Sequence, residues 1–148
     1  MMLEEKIQQD IKAAMLAKDS VALASVRAIK AAILLAKTAE NGKPVDDAEI
    51  VKIIQKLVKQ RKESADIYSQ QNRPELAENE LAEAAVMEKY LPKQLSEAEV
   101  EEALKGIIAQ VGASSMADMG KVMGVATKAL AGQADGKLIS ALVRKLLA

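Results

Sequence analysis

The sequence has no cysteine, no histidine, no tryptophan and no phenylalanine. Without cysteine there is no disulfide, no thiolate metal site and no thiol nucleophile. Without histidine the chain lacks the commonest general base near neutral pH and the commonest metal ligand. Tyr68 and Tyr90 are its only aromatic residues, too few to build the stacking platforms on which single-stranded nucleic acid is usually read. An enzyme made from this chain alone would have to work with carboxylates, lysines and hydroxyls. A protein that is not catalytic by itself, and that uses no cofactor or metal, is the expectation.

Long apolar runs are also missing. No stretch approaches the ~18 residues that a membrane-spanning helix requires. Residues Met1 to Asp10 contain acidic side chains and no apolar segment of the secretory type. A cytoplasmic protein without membrane contact is expected.

What is present is a chain of 148 residues, half hydrophobic and 28% charged, long enough to bury a core as one domain or two small ones. The formal net charge is zero, but it is unevenly spread. From Ala103 onward there are six basic residues (Lys105, Lys121, Lys128, Lys137, Arg144 and Lys145) against Asp118 and Asp135. A basic end on a neutral chain points to an anionic partner or to an acidic surface elsewhere.

The hydrophobic pattern is helical almost throughout. Leu3, Ile7, Ile11 and Met15 predict a first helix. Lys18-Asp19-Ser20 interrupts it, with Asp19 or Ser20 placed to cap a second helix carrying Leu23, Val26, Ile29 and Ile33. Asn41-Gly42-Lys43-Pro44 stops that helix. Asp46 with Glu49 starts a third, with the stripe Ile50, Ile53, Ile54, Leu57 and Val58, which runs to about Gln71. Pro74 suits the first turn of a fourth helix bearing Leu76, Leu81, Ala84 and Met87. Arg61 falls on the apolar side of the third helix and needs a partner, expected to be a glutamate of the fourth. Glu78, Glu80 and Glu83 otherwise read as a solvated face.

Pro92, within Tyr90-Leu91-Pro92-Lys93-Gln94-Leu95, blocks helix continuation and marks the expected domain boundary. Ser96-x-x-Glu99 is a capping box opening a fifth helix with Val100, Leu104, Ile107, Ile108 and Val111, closed by Gly112. Ser114 or Ser115 is placed to cap a sixth, with Met119, Val122, Met123, Ala126 and Leu130 on its core side and Gly132 at its end. Asp135 caps a seventh, with Ile139, Leu142, Val143 and Leu146.

The last two helices open with a repeated cassette, Ala117-Asp118-Met119-Gly120-Lys121 and Ala134-Asp135-Gly136-Lys137. The aspartates read as helix caps. Gly120 and Gly124 are four apart inside a helix, where glycine costs about 1 kcal/mol relative to alanine. They suit either tight packing between helices or close approach of a partner's backbone. Lys121 and Lys128 lie seven apart and opposite the core stripe; Lys137 and Arg144 repeat the relation on the last helix, and Lys145 adjoins them. A basic face without aromatics fits contact with the phosphate backbone of folded, double-stranded RNA rather than base stacking. A solvated face is the alternative.

Gly112-Ala113-Ser114-Ser115-Met116-Ala117-Asp118-Met119-Gly120-Lys121-Val122-Met123-Gly124 and Ala134-Asp135-Gly136-Lys137 resemble the GatB/YqeY family. So do Glu88-Lys89-Tyr90-Leu91-Pro92-Lys93-Gln94-Leu95-Ser96 and Lys59-Gln60-Arg61-Lys62. The similarity runs over essentially the whole chain and is nearest to the stand-alone YqeY-like members. It implies an all-α protein with a helical N-terminal part of about four helices, residues 1–92, and a small three-helix C-terminal domain, residues 93–148. In the B subunit of the glutamine-dependent tRNA amidotransferase the corresponding C-terminal part is the tail that contacts tRNA. The resemblance carries that role onto Lys121 and Lys137; Lys128, Arg144 and Lys145 join them from the basic face alone. The subunit's large catalytic portion has no counterpart here, so the association with carbon-nitrogen ligase activity, with glutamine as amido donor, does not imply amide transfer by this chain alone. The expectation is a tRNA-binding or tRNA-associated module that does not engage DNA. The alternative is an adaptor that docks on an amidotransferase or an aminoacyl-tRNA synthetase.

Overall fold

Alanine-rich segments with apolar residues three and four apart fold as helices from end to end. The computed structural model describes residues 2–39 and 45–148, and these contain seven α-helices, one short 3-10 turn and no strand. The protein is all-α, as the resemblance implies. The expected stop at Asn41-Gly42-Lys43-Pro44 lies outside the described residues. The chain divides into two compact units, Met1–Leu91 and Pro92–Ala148.

The first unit contains α1 (Met2–Ala17), α2 (Ser20–Ala39), α3 (Asp47–Gln70) and α4 (Pro74–Glu88). Between α1 and α2 the chain reverses through Lys18, which adopts a left-handed φ of 55°. The Asp19 carboxylate then accepts the Ala22 amide at 3.0 Å, so Asp19 rather than Ser20 provides the cap. The Asp46 carboxylate accepts the Glu49 amide at 2.9 Å and starts α3. Pro74 occupies the first turn of α4, where its missing N–H leaves nothing unpaired. Ile7, Ile11, Val26, Ile29, Ile33, Ile50, Ile54, Val58 and Met87 form the core.

Three predicted core residues are not in it. Met15 is 54% exposed, Leu76 41% and Leu81 49%. Ala14 and Ala77, each next to one of them in sequence, are buried instead, together with Ala65 and Ala84. Small residues let α3 and α4 approach closely, and the larger leucines are rotated to the flanks of that contact. Arg61 makes the expected ion pair with α4, its Nε lying 3.7 Å from Glu80 and 3.5 Å from Glu83. Glu80 and Glu83 are therefore turned onto α3 and do not belong to a solvated face; Glu78 is exposed. At the end of the unit the Tyr90 hydroxyl donates a hydrogen bond to Asp10 of α1, and Lys6 Nζ stands 5.8 Å from the centre of the ring. Burial of the ring and the Asp10 carboxylate raise the phenol's pKa.

The second unit contains α5 (Glu97–Val111), a 3-10 turn (Met116–Asp118), α6 (Met119–Ala129) and α7 (Gly136–Leu147). Ser96 and Glu99 form a reciprocal capping box, each backbone N–H donating to the other's side chain at 3.1 Å. Gly112 ends α5 in the left-handed region with φ 69°, a conformation that costs a glycine nothing. Val100, Leu104, Val122, Ala126, Leu130, Ile139, Leu142 and Val143 are buried together. Leu147 joins them, with Leu146 only partly buried, because the end of α7 turns its final residue inward.

Candidate nucleic-acid interface

The route into α6 differs from the one the sequence suggests. Ser115 is the N-cap of the 3-10 turn that runs directly into α6 and forms a capping box with Asp118, whereas neither serine caps α6 itself. Asp118, at the junction of the 3-10 turn and α6, folds its carboxylate back onto the preceding turn and accepts the amides of Ser114 at 2.9 Å and Ser115 at 3.4 Å. The Ser114 amide first, then the Ser115 amide and the charge of Lys121, hold this carboxyl below its ordinary range. Asp135 behaves as a cap, accepting the Lys137 amide at 3.2 Å at the start of α7.

From this start α6 presents a solvent face of one composition. Gly120, Lys121, Gly124, Val125, Lys128 and Ala129 line an open, shallow concavity. Gly120 and Gly124 are exposed, and a Cβ added at either would meet no atom within 4 Å. Packing between helices does not explain them, which removes one of the two roles open at the sequence level. Instead they bare the helix backbone between Lys121 and Lys128, whose Cα atoms lie about 10 Å apart along the axis at 1.5 Å per residue. Among the described residues no carboxylate lies within 4.0 Å of either ammonium.

On α7, Lys137, Arg144 and Lys145 are all exposed. Lys137 and Arg144 are seven residues apart and share one side of the helix, whereas Lys145 is rotated by about 100° from Arg144. That rotation carries Lys145 to α5, where its Nζ lies 3.7 Å from Glu101. Among the five basic candidates, the structure brings Lys121 and Lys128 into one concavity and turns Lys145 toward an acidic partner.

The turn between α6 and α7 is held from outside. Gln94 Nε2 donates to the Gly132 carbonyl at 2.6 Å and to the Pro92 carbonyl at 2.9 Å, and the Leu95 N–H donates to the Gln133 carbonyl at 2.9 Å. The sequence marks this stretch as a boundary at Pro92 and as part of the family resemblance. Nothing in its spacing points to a bond 38 residues away.

Among the described residues no group of three or more acidic side chains is placed to hold a metal ion. Nor is any helix among them long and apolar enough to cross a membrane.

The family profile described as Yqey-like protein matches residues 4–147. The chain belongs to the YqeY-like family. Curated relatives carry the name Altered inheritance of mitochondria protein 41, mitochondrial. The one from Meyerozyma guilliermondii is 38% identical over 108 residues, covering 71% of this chain and 56% of the relative. The one from Lachancea thermotolerans is 28% identical over 111 residues, 74% of this chain and 59% of the relative. The one from Pyrenophora tritici-repentis is 28% identical over 146 residues, 96% of this chain and 79% of the relative. The chain thus spans little more than half the length of the first two relatives. None of these names states a catalytic activity.

The names correct the expectation of a cytoplasmic protein, since the relatives are mitochondrial proteins. The physical reason for the error is plain. Absence of a secretory-type apolar segment excludes one route only, and a charged, water-compatible composition is shared by soluble proteins of every compartment.

Proposed function

We propose that this YqeY-like chain is a non-catalytic RNA-binding module whose ligand is a folded RNA, with tRNA the first to test. The basic faces of α6 and α7, through Lys121, Lys128, Lys137 and Arg144, meet the phosphate backbone. The observation that carries the proposal is the α6 concavity, where two lysines with no described carboxylate within 4.0 Å bracket a stretch of helix backbone bared by glycines. Charge attracts a polyanion, and the absence of aromatics from the unit that carries the face makes the phosphates, not the bases, what is recognised. Lys145 belongs at the margin of this face because of its bond to Glu101.

The test is binding of the full chain to transfer RNA across a salt series. The parent is expected to bind with an affinity that falls steeply as salt rises. The variant with Lys121, Lys128, Lys137 and Arg144 all changed to Glu is expected to lose binding. Equal binding by parent and variant would place the site elsewhere. The mitochondrial names of the relatives make mitochondrial tRNA a second ligand pool for the same assay.

An adaptor that docks on an amidotransferase or an aminoacyl-tRNA synthetase is the second proposal, supported by the exposed Leu34, Leu35, Leu76 and Leu81 of the first unit. Recovery of such an enzyme from lysate after nuclease treatment favours it, and loss of the enzyme on nuclease treatment favours RNA.

A further inference from the structure

We propose that Gln94 is a positioning residue for the basic face, acting through the turn that joins α6 to α7. The proposal rests on the RNA-binding function above. A ligand that touches both helices reads the angle between them, because Lys121 and Lys128 stand on one and Lys137 and Arg144 on the other. That angle is set where the chain passes from Ala129 to Gly136.

The turn contains a weak point. Gly132 adopts a left-handed φ of 77°, and glycine has the widest backbone freedom of any residue. A rotation there swings α7 against α6. The Gln94 side chain donates to the Gly132 carbonyl at 2.6 Å. The same amide nitrogen is anchored to the Pro92 carbonyl at 2.9 Å, so the side chain is fixed at its own end as well. One residue on, the Leu95 N–H holds the Gln133 carbonyl, and the Leu95 side chain packs on the core of this unit. Residues 92–95 thus lie along the turn as a strap. Leu95 secures the strap to the core, and Gln94 secures the glycine to the strap.

Gln94 is exposed and neutral. It adds no charge to the face, and this makes its role separable from that of the lysines. Loss of a neutral side chain alters how many phosphates the protein neutralises only if it displaces a cation. The number of phosphates engaged is read from the slope of log affinity against log salt, roughly 0.7–0.9 per phosphate.

The experiment uses the full chain, with unfractionated transfer RNA as the probe and fluorescence anisotropy in a salt series. Gln94→Ala removes the side chain, and Gln94→Met keeps its length while removing the donor. Both are expected to weaken binding by about three- to tenfold, the range of one net hydrogen bond. Both are also expected to make the salt slope shallower by about one phosphate, with an unchanged helical dichroism spectrum. Shifted amide resonances at Gly132 and Gln133 in both variants are expected from the loosened turn.

Parent-like affinity and slope in both variants, while Lys121→Glu with Lys128→Glu abolishes binding, would overturn the positioning role and leave the basic face standing. A weaker affinity with an unchanged slope would overturn it too, since it means that Gln94 touches the RNA or merely supports the fold. If the charge-reversed variant binds like the parent, the RNA-binding function itself fails, and the role of Gln94 with it.

Discussion

The Arg61 guanidinium on α3 stands 3.5 Å from the Glu83 carboxylate on α4, with Glu80 at 3.7 Å from the same nitrogen. All three side chains are less than a quarter exposed. Removing the cation leaves two largely buried carboxylates, three residues apart on α4, without the charge they both approach. Arg61→Met, which keeps the apolar stem, is expected to lower stability by about 2 kcal/mol. Adding Glu83→Gln to that variant should recover part of the loss. Urea unfolding of the three proteins checks this, and a loss below about 0.5 kcal/mol would reduce the pair to an ordinary surface contact.

Gly124 gives a prediction in which stability and binding move in opposite directions. Its φ is not left-handed, and an added Cβ meets nothing within 4 Å. Gly124→Ala is therefore expected to stabilise the protein by about 1 kcal/mol. If RNA lies against the bared backbone, the same methyl group lowers RNA affinity. Chemical denaturation and a binding isotherm on one preparation measure both effects. Destabilisation would mean that the glycine serves packing after all.

Lys128 and Lys145 are expected to differ as RNA contacts although both are exposed lysines near the end of their helices. Lys128→Ala should make the salt slope shallower by about 0.7–0.9, the share of one phosphate. Lys145→Ala should leave the slope nearly unchanged, because that ammonium faces Glu101 at 3.7 Å. Equal slopes for the two variants would remove the distinction.

Asp118 is expected to contribute to the acid stability of the protein. Its folded carboxyl is held below the ordinary range, first by the Ser114 amide and then by that of Ser115. The unfolded chain therefore takes up the proton first, near pH ~4. The stabilisation is complete above that pH and disappears as pH falls through the lower, folded value. Glu99, held down by the Ser96 amide, acts in the same direction. Asp118→Asn is expected to reduce the melting temperature near neutral pH and to flatten its fall between pH ~5 and ~3. Melting curves across that range decide, and an unchanged acid slope would separate Asp118 from it.

Much of the fold is legible because its signals are local. The Ser96–Glu99 box, the Asp46 cap, Pro74 at the start of α4 and Gly112 at the end of α5 each act within a few residues, and each stands where the sequence puts it. The isoleucine stripes of α1 to α3 are legible for the same reason. Competition between neighbours is not. Whether Leu76 or Ala77 faces α3, and whether Leu146 or Leu147 faces the core, depends on how closely two helices approach, a distance that no periodicity contains. The site divides along the same line. Exposure of Lys121 and Lys128 follows from the helical period. The ion pair of Lys145 with Glu101 and the hold of Gln94 on Gly132 depend on chain segments meeting in space, whereas the backward turn of the Asp118 carboxylate is local. The openness around Gly120 and Gly124 likewise required three dimensions to decide between packing and exposure.

The clasp between Tyr90 and Asp10 gives the molecule an uneven optical signature. With no tryptophan, its ultraviolet emission comes from Tyr68 and Tyr90, and both belong to the Met1–Leu91 unit. A carboxylate bonded to the phenol drains the excited state, so release of Tyr90 from Asp10 brightens the protein. Emission thus follows the melting of the first unit, while backbone dichroism follows every helix. If the two units melt separately, the difference between the two traces reports the unit that carries the basic face, without a dye or an added tryptophan.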